Sequence, residues 1–270
     1  MDIIIDTIKD TYTMIPILFI MYLFLEYLEH RENNHYQKYL ISYGPLLGSL
    51  LGMIPQCGFG VIASLLFLEK KITLGTLISV FIATSDEAIP VLLTFPQHYS
   101  SLIAILCIKM ISGIMIGYIV DYLFPQIHFA YQKSKEKHDH HHSIPFEALT
   151  RAFKIYVFIF FTNTLLSLLI ETIGENQLAY LLFQKSLLQP IVSAFFGFIP
   201  NCASSVILTQ LYIKNILSFS SLIAGLMTNA GIGLLILIKH RLDIKTLSII
   251  CSILFISALV VSLIVQGFSF

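Results

Sequence analysis

Thr84-Ser85-Asp86-Glu87 stands in the middle of an otherwise apolar stretch and is followed by Pro90, so two carboxylates fall inside a segment long enough to cross a bilayer. An Asp at the bilayer centre is disfavoured by about 2.5–3.5 kcal/mol on insertion scales, and such residues mark ion or proton pathways or buried ion pairs. Lys109 is the one cation within an apolar stretch and is the available partner for Asp86 or Glu87. Two further interruptions resemble each other, Pro55-Gln56-Cys57-Gly58 and Pro200-Asn201-Cys202-Ala203. Proline removes a backbone donor and disfavours the helical conformation of the residue before it, so Pro55, Gly58 and Pro200 read as hinges in broken helices. Each break frees carbonyl oxygens, exposes a half-helix N-terminus with partial positive charge, and adds an amide (Gln56, Asn201) and a thiol (Cys57, Cys202).

Oxygen ligands with one or two thiolates suit a divalent transition metal such as Mn, Fe, Co or Zn. Cys57, Asp86, Glu87 and Cys202 are the expected metal ligands. Gln56, Thr84, Ser85, Lys109, Asn201 and Asn229 complete the expected ion pathway, Asn229 belonging to the neutral counterpart Thr228-Asn229-Ala230-Gly231. Each feature also has a plainer reading. A proline can merely kink a packed membrane helix, and Lys109 with a carboxylate can be a structural pair. Cys107 and Cys251 read as small packing residues. Glu26, Glu29, His30, Glu171 and Glu175 read equally as solvated helix ends or as ion-entry groups, and His138, Asp139, His140, His141 and His142 as a solvated linker or a loose metal-binding tract.

The elements that must position these residues are membrane helices. Of the 270 residues 56% are hydrophobic and only 12% charged, against roughly 25% charge in a soluble domain, and mean hydropathy is +0.82. Net charge is zero and the cations are scattered, which excludes a nucleic-acid partner and leaves the lipid bilayer as the surroundings. Asp2, Asp6 and Asp10 stand where a secretory signal would be positive, so the first apolar run reads as a retained span.

A constant shift of 145 lays the first half on the second. Pro45, Gly52, Ile54, Pro55, Cys57, Val61 and Ile62 fall on Pro190, Gly197, Ile199, Pro200, Cys202, Val206 and Ile207, seven identities in the 18 positions from 45 to 62. The same register pairs Glu26 with Glu171, and Leu77-Ile78 with Leu222-Ile223. This argues for duplication, with repeats over 1–127 and 146–270 and a polar, His-rich linker over 128–145. Each half has four apolar blocks, at about 11–28, 43–68, 72–94 and 101–124, then about 152–172, 188–212, 216–238 and 246–266.

The second block of each half either crosses once or enters and leaves on one side. With single crossings the 15 cations outside spans divide nine to six. With re-entrant blocks they divide twelve to three, leaving only Lys9, Lys185 and Lys214 outside. The positive-inside rule favours the second division. The expectation is an all-α, polytopic membrane protein of two inverted-topology repeats, each with three full spans and one hairpin-like block, with the linker cytoplasmic and both termini outside.

GPLLGSLLGMIPQCGFG at 44–60, KITLGTLISVFIATSDEAIPVLL at 71–93 and FIPNCASSVILTQLYIKNILSFSSLIAGLMTNAGIGLLIL at 198–237 resemble a bacterial family described as manganese transporters, ten-helix heavy-metal exporters or arsenic efflux proteins. The resemblance covers nearly the whole chain, including EYLEHR at 26–31 and the His-rich loop, which is shorter than in many members. It implies a transporter in the bacterial inner membrane that exports a divalent metal, manganese first, with the metal as substrate and no resident cofactor. Ten helices result if each interrupted block counts as two. The chain has no phosphate-binding P-loop motif, so an ion gradient would supply the energy, with Asp86 or Glu87 as proton carrier. One rival is an exporter of arsenite or another small oxyanion or organic solute, working through half-helix N-termini and Lys109. A second is an intramembrane enzyme, which lacks a His base within any apolar block. A third is a scaffold that moves nothing.

Overall fold

The computed structural model describes residues 43–54, 58–84, 88–93, 95–124, 188–240 and 242–268, with single positions at 157, 161 and 164. The first apolar block of each half, the His-rich linker, Glu26, Glu29, His30, Glu171, Glu175, and the motif residues Pro55, Gln56, Cys57, Ser85, Asp86 and Glu87 lie outside the described residues.

The described residues form helices and turns without a strand. In the first half these are α1 (Gly44–Gly52), α2 (Gly58–Leu68), α3 (Leu74–Ala83), α4 (Ala88–Leu93), a 3-10 turn (Pro96–His98) and α5 (Tyr99–Leu123). In the second they are α6 (Gln189–Gly197), α7 (Cys202–Ile213), α8 (Phe219–Thr228), α9 (Ile232–Lys239) and α10 (Ile244–Phe268). Shifted by 145, every boundary of α1 to α5 falls within one residue of α6 to α10, and the 3-10 turn has no counterpart among the described residues. The correspondence reaches single dihedrals. Lys70 and Asn215 occupy the left-handed region at φ 59° and 57°, each just past a helix end. Lys71 N–H and Ile216 N–H then bond the Leu66 and Leu211 carbonyls, both at 2.9 Å, closing the same C-terminal motif in each half.

Length assigns the helices their roles. At about 1.5 Å per residue, α1 and α2 reach about halfway through a hydrocarbon core of roughly 30 Å, whereas the 25-residue α5 and α10 cross it completely. Gly44 packs on Thr76, Gly48 on Ser79, and Gly52 on Val80 and Ala83, so α1 runs parallel to α3. α2 then returns, ending at Leu68, one short turn before α3 begins at Leu74. The second block is therefore a helical hairpin with both ends at the level where α3 starts. In the second half Ser193 Oγ donates to the Ser221 carbonyl at 2.6 Å and Thr228 Oγ1 to the Ala194 carbonyl at 2.7 Å, giving α6 the same course beside α8.

α5 serves as a ruler between the halves. At its C-terminal end Asp121 bonds the start of α3, beside the mouth of the first hairpin. At its N-terminal end Ser101 Oγ lies 2.8 Å from Tyr212 Oη, and His98 packs edge-on against the Tyr212 ring, at the mouth of the second hairpin. The two mouths thus lie at opposite ends of α5.

Burial separates the same elements. The segment Phe219–Lys239 is 89% buried over its most apolar window, whereas Ile244–Gly267 is 28% buried, so the divided spans form the centre and the long helices the rim. On α5 the inward stripe is Leu102, Ile105, Lys109, Ser112, Gly113, Gly117 and Val120, at helical spacing and rich in small residues. Ile103, Ile111, Met115 and Ile119 face outward, exposed. Small residues inside and large apolar ones outside are the arrangement that helix packing in lipid requires, because close backbone approach replaces the hydrophobic effect.

The first turns of the two central helices are braced differently. Thr73 Oγ1 accepts the Thr76 N–H and donates to Asp121, while the Asp121 carboxylate also accepts the Gly75 N–H at 2.8 Å. At α8, Ser218 Oγ accepts the Ser221 N–H, but the brace is Gln189 of α6, whose Oε1 accepts the Ser218 N–H at 3.0 Å and whose Nε2 donates to the Ile216 carbonyl. Loss of a cap of this kind costs about 0.5–2 kcal/mol. Asp121→Ala is expected to lower the melting temperature of the solubilised protein modestly, whereas Gln266→Ala, at the matching position of α10, should leave it unchanged. Equal melting of the two variants would remove the brace from the account.

Candidate functional site

Each apolar third block crosses in two pieces, a division that the polar residues marked only in part. In the second half α8 stops at Thr228 and α9 starts at Ile232. The Asn229 side chain closes the break, its Oδ1 accepting the Gly231 N–H at 3.1 Å. Gly231 holds φ 54° and ψ −144°, backbone that an L side chain adopts only under strain of about 1–3 kcal/mol. In the first half α3 ends at Ala83, Thr84 turns the chain to an extended ψ of 125°, and α4 resumes at Ala88. Thr84 and Ala88, the two residues that bracket Ser85, Asp86 and Glu87, are both buried.

The hairpins bring their inner ends to these breaks. Gly52, the last residue of α1, lies against the Val80 carbonyl, Ala83 and the Thr84 amide. Gly197, the last of α6, lies against Gly225 and Thr228. At the second tip the chain turns sharply, with Asn201 N–H donating to the Ile199 carbonyl at 2.7 Å and the Asn201 carbonyl accepting from Ser204 Oγ at 2.6 Å. Asn201 is buried, and Cys202 opens α7 immediately after it. Pro200 precedes them at the tip and Gly58 opens α2, so both hinge positions among the described residues stand at helix interruptions.

The halves interlock at the same depth. Ser64 Oγ of α2 lies 2.8 Å from the Gly233 carbonyl of α9, and Gly60 packs against Ala230 and Gly233. Lys109 completes the junction. Wholly buried on α5, it donates through Nζ to the Thr84 carbonyl and, at 2.9 Å, to the Leu226 carbonyl. One ammonium therefore touches the end of a central helix from each half.

Of the residues singled out by sequence, Thr84 and Lys109 are in direct contact. Asn229 lies three residues beyond the second carbonyl that Lys109 holds, and Asn201 lies at the tip of the neighbouring hairpin. Thr84 directs its hydroxyl back to the Val80 carbonyl at 2.7 Å and offers its own carbonyl to the centre. Asn229 likewise commits its carboxamide oxygen to its own turn. Among the described residues no cluster of three or more His, Cys, Asp or Glu side chains stands ready for a metal. Cys107 is exposed on α5, and Cys251 packs at the edge of the core. The Leu226 carbonyl had no sequence signal, since a backbone oxygen becomes a ligand only when the next turn fails to form. Gly231, two residues after Asn229, is the residue that could have pointed to that failure, and only its positive φ reveals it.

A family model described as "Putative, 10TM heavy-metal exporter" matches the chain over residues 1–173 and again over 140–269. No curated protein and no solved structure matches it.

Proposed function

The chain belongs to that family of putative 10TM heavy-metal exporters, and from this membership we propose that it is a secondary transporter exporting a divalent transition metal, manganese first, across the bacterial inner membrane. The observation that carries the proposal is the convergence of both divided central helices on one depth, where buried Thr84 and Ala88 bracket Asp86 and Glu87. Irregular backbone at membrane depth is tolerated where it lines a cavity or is enclosed by protein, and discontinuous helices at a repeat interface are the usual setting of a transported ion.

In this reading Asp86 supplies the principal charge for the metal. Cys57, Cys202, Gln56 and Asn201 contribute softer and neutral ligands from the hairpin tips, and Glu87 is a second ligand or the proton acceptor. Carboxylate and amide oxygens with at most two thiolates favour manganese over softer ions. The placement of the hairpin mouths at opposite ends of α5 supports inverted repeats, and alternating access then consists of rocking one repeat against the other about the central junction. The use of the Lys109 ammonium on helix-end carbonyls weighs against the oxyanion reading, which needs that charge turned toward an anion.

The test is flux in proteoliposomes of the purified full chain, comparing manganese, zinc, cobalt and arsenite, with Cys57→Ser in parallel. Divalent-metal flux, with manganese carried by wild type and reduced but present in Cys57→Ser, is the expected result. Arsenite flux without manganese flux, lost in Cys57→Ser, would replace this proposal with the oxyanion exporter.

A further inference from the structure

α5 begins at the mouth of the second hairpin, and its first turn is tied there. Ser101 Oγ lies 2.8 Å from the hydroxyl of Tyr212, in the last turn of α7, so one hydrogen bond joins the first half to the second. The Tyr212 ring is held from two further sides, by the His98 ring at 5.5 Å and 61° and by the Phe219 ring at 5.9 Å and 51°. Both separations lie in the attractive range for aromatic pairs. His98 precedes α5 and Phe219 opens α8, so elements of both halves meet on one phenol.

The other end of the molecule repeats the positions with different chemistry. α2 and α9 both lead from the central junction toward the first mouth, α9 because it continues α8 past the break, and α10 begins at that level. The 145-residue shift sets Thr246 on Ser101, Phe67 on Tyr212, Asp243 on His98 and Leu74 on Phe219. Phe67 is buried near the end of α2 and has no hydroxyl to offer. Thr246, wholly buried in the first turn of α10, leaves its Oγ1 without a hydrogen-bond partner among the described residues. A hydroxyl buried in that state gives up its bonds to water without replacing them. One end is thus tied across the halves by a bond that the matching pair at the other end cannot make.

We propose that Tyr212 is a one-sided latch between the repeats. It holds the halves together at the mouth of the second hairpin, while the end at the first mouth, with Phe67 in the matching place, opens more readily. The latch is a property of the fold and stands whatever the protein carries. Its consequence for transport rests on the alternating-access reading, under which the first mouth is the end that opens at rest and the second opens only when the Tyr212 hydroxyl is released.

Hydrogen–deuterium exchange of the solubilised full-length protein, read peptide by peptide, tests this. Local opening sets the exchange of amides at each mouth, and one hydrogen bond changes that opening about three- to tenfold. Tyr212→Phe should speed exchange by that factor over residues 99–104 and 210–219 and leave residues 66–72 and 244–249 unchanged. Ser101→Ala removes the same bond from the other side and should reproduce the pattern. Phe67→Tyr should slow exchange over 66–72 and 244–249 by giving Thr246 a phenol to bond, and the slowing should vanish when Thr246→Val is added. Exchange at the second mouth unmoved by both Tyr212→Phe and Ser101→Ala would overturn the latch. So would equal loosening of both mouths, which marks a general loss of stability, and a Phe67→Tyr variant whose first mouth is not slowed would overturn the pairing of Phe67 with Thr246. The expected exchange pattern in a protein that moves no metal would uphold the latch and remove the transport reading alone.

Discussion

Asp86→Asn is expected to insert and accumulate as the wild type does, yet to lower the proposed manganese flux in proteoliposomes to the level of protein-free vesicles. The two halves of this result separate site from scaffold. A buried Asp costs about 2.5–3.5 kcal/mol at the bilayer centre, so a neutral isostere eases insertion, and loss of transport cannot be ascribed to a failure to enter the membrane. The described residues on either side of the Asp86 segment are Thr84, whose carbonyl meets Lys109, and buried Ala88. In the proposed site Asp86 supplies the principal charge, and without it the remaining ligands are expected to fall short of repaying the dehydration of a divalent ion. Full manganese flux in Asp86→Asn would move the metal site elsewhere.

Gly75→Ala has the largest expected effect on stability, and Gly60→Ala almost none. Both glycines lie in helices at interfaces. A Cβ on Gly75 would overlap the Gly117 carbonyl oxygen and the Asp121 carboxylate, that is, the backbone of α5 together with the brace of α3. Backbone cannot swing aside, so α3 and α5 must separate, at a cost of about 3 kcal/mol. At Gly60 the nearest atom to an added Cβ is the Ala230 carbonyl oxygen at 3.5 Å, an ordinary contact, and the helix gains up to about 1 kcal/mol from losing a glycine. Melting curves of the two solubilised variants decide the matter, and similar melting would mean that the α3–α5 contact is not a close-packed one.

Much of the architecture was legible in the sequence because the 145-residue correspondence repeats its signals. Pro55-Gln56-Cys57 against Pro200-Asn201-Cys202 marked the breaks, and the cation distribution favoured a returning second block, the course that α1 and α2 take beside α3. The long helices α5 and α10 followed from apolar length. Less visible was the division of the third block. Thr228-Asn229-Ala230-Gly231 registered as a polar spot, but whether Asn229 bonds along a helix or across its own turn depends on Gly231 taking a positive φ, and periodicity is blind to that choice. The partners of Lys109 were invisible for a related reason. Sequence offers only side chains as counter-charges, so carboxylates drew the eye, whereas two helix ends act through backbone atoms common to every residue. The braces Asp121 and Gln189 escaped notice because each comes from a different helix, which no internal alignment can anticipate.

That difference in bracing limits which helices of the two halves could be exchanged. A gene that duplicates begins with interchangeable copies, and recombination between them can replace any stretch of one with the other. Here Asp121 serves the first copy from its long helix, while Gln189 serves the second from its hairpin, and the matching residues are Gln266 and Gly44. Moving α10 into the place of α5 would set a glutamine against Thr73, where a carboxylate now bonds both the hydroxyl and the Gly75 amide. Moving α1 into the place of α6 would set a glycine where Gln189 reaches Ser218. Exchange of single helices is therefore disfavoured, and the smallest stretch that one copy can donate to the other with its braces intact runs from the hairpin through the long helix. The same division of labour holds for charge, the first half having Lys109 and the acidic pair where the second has Leu254 and neutral residues at the matching positions.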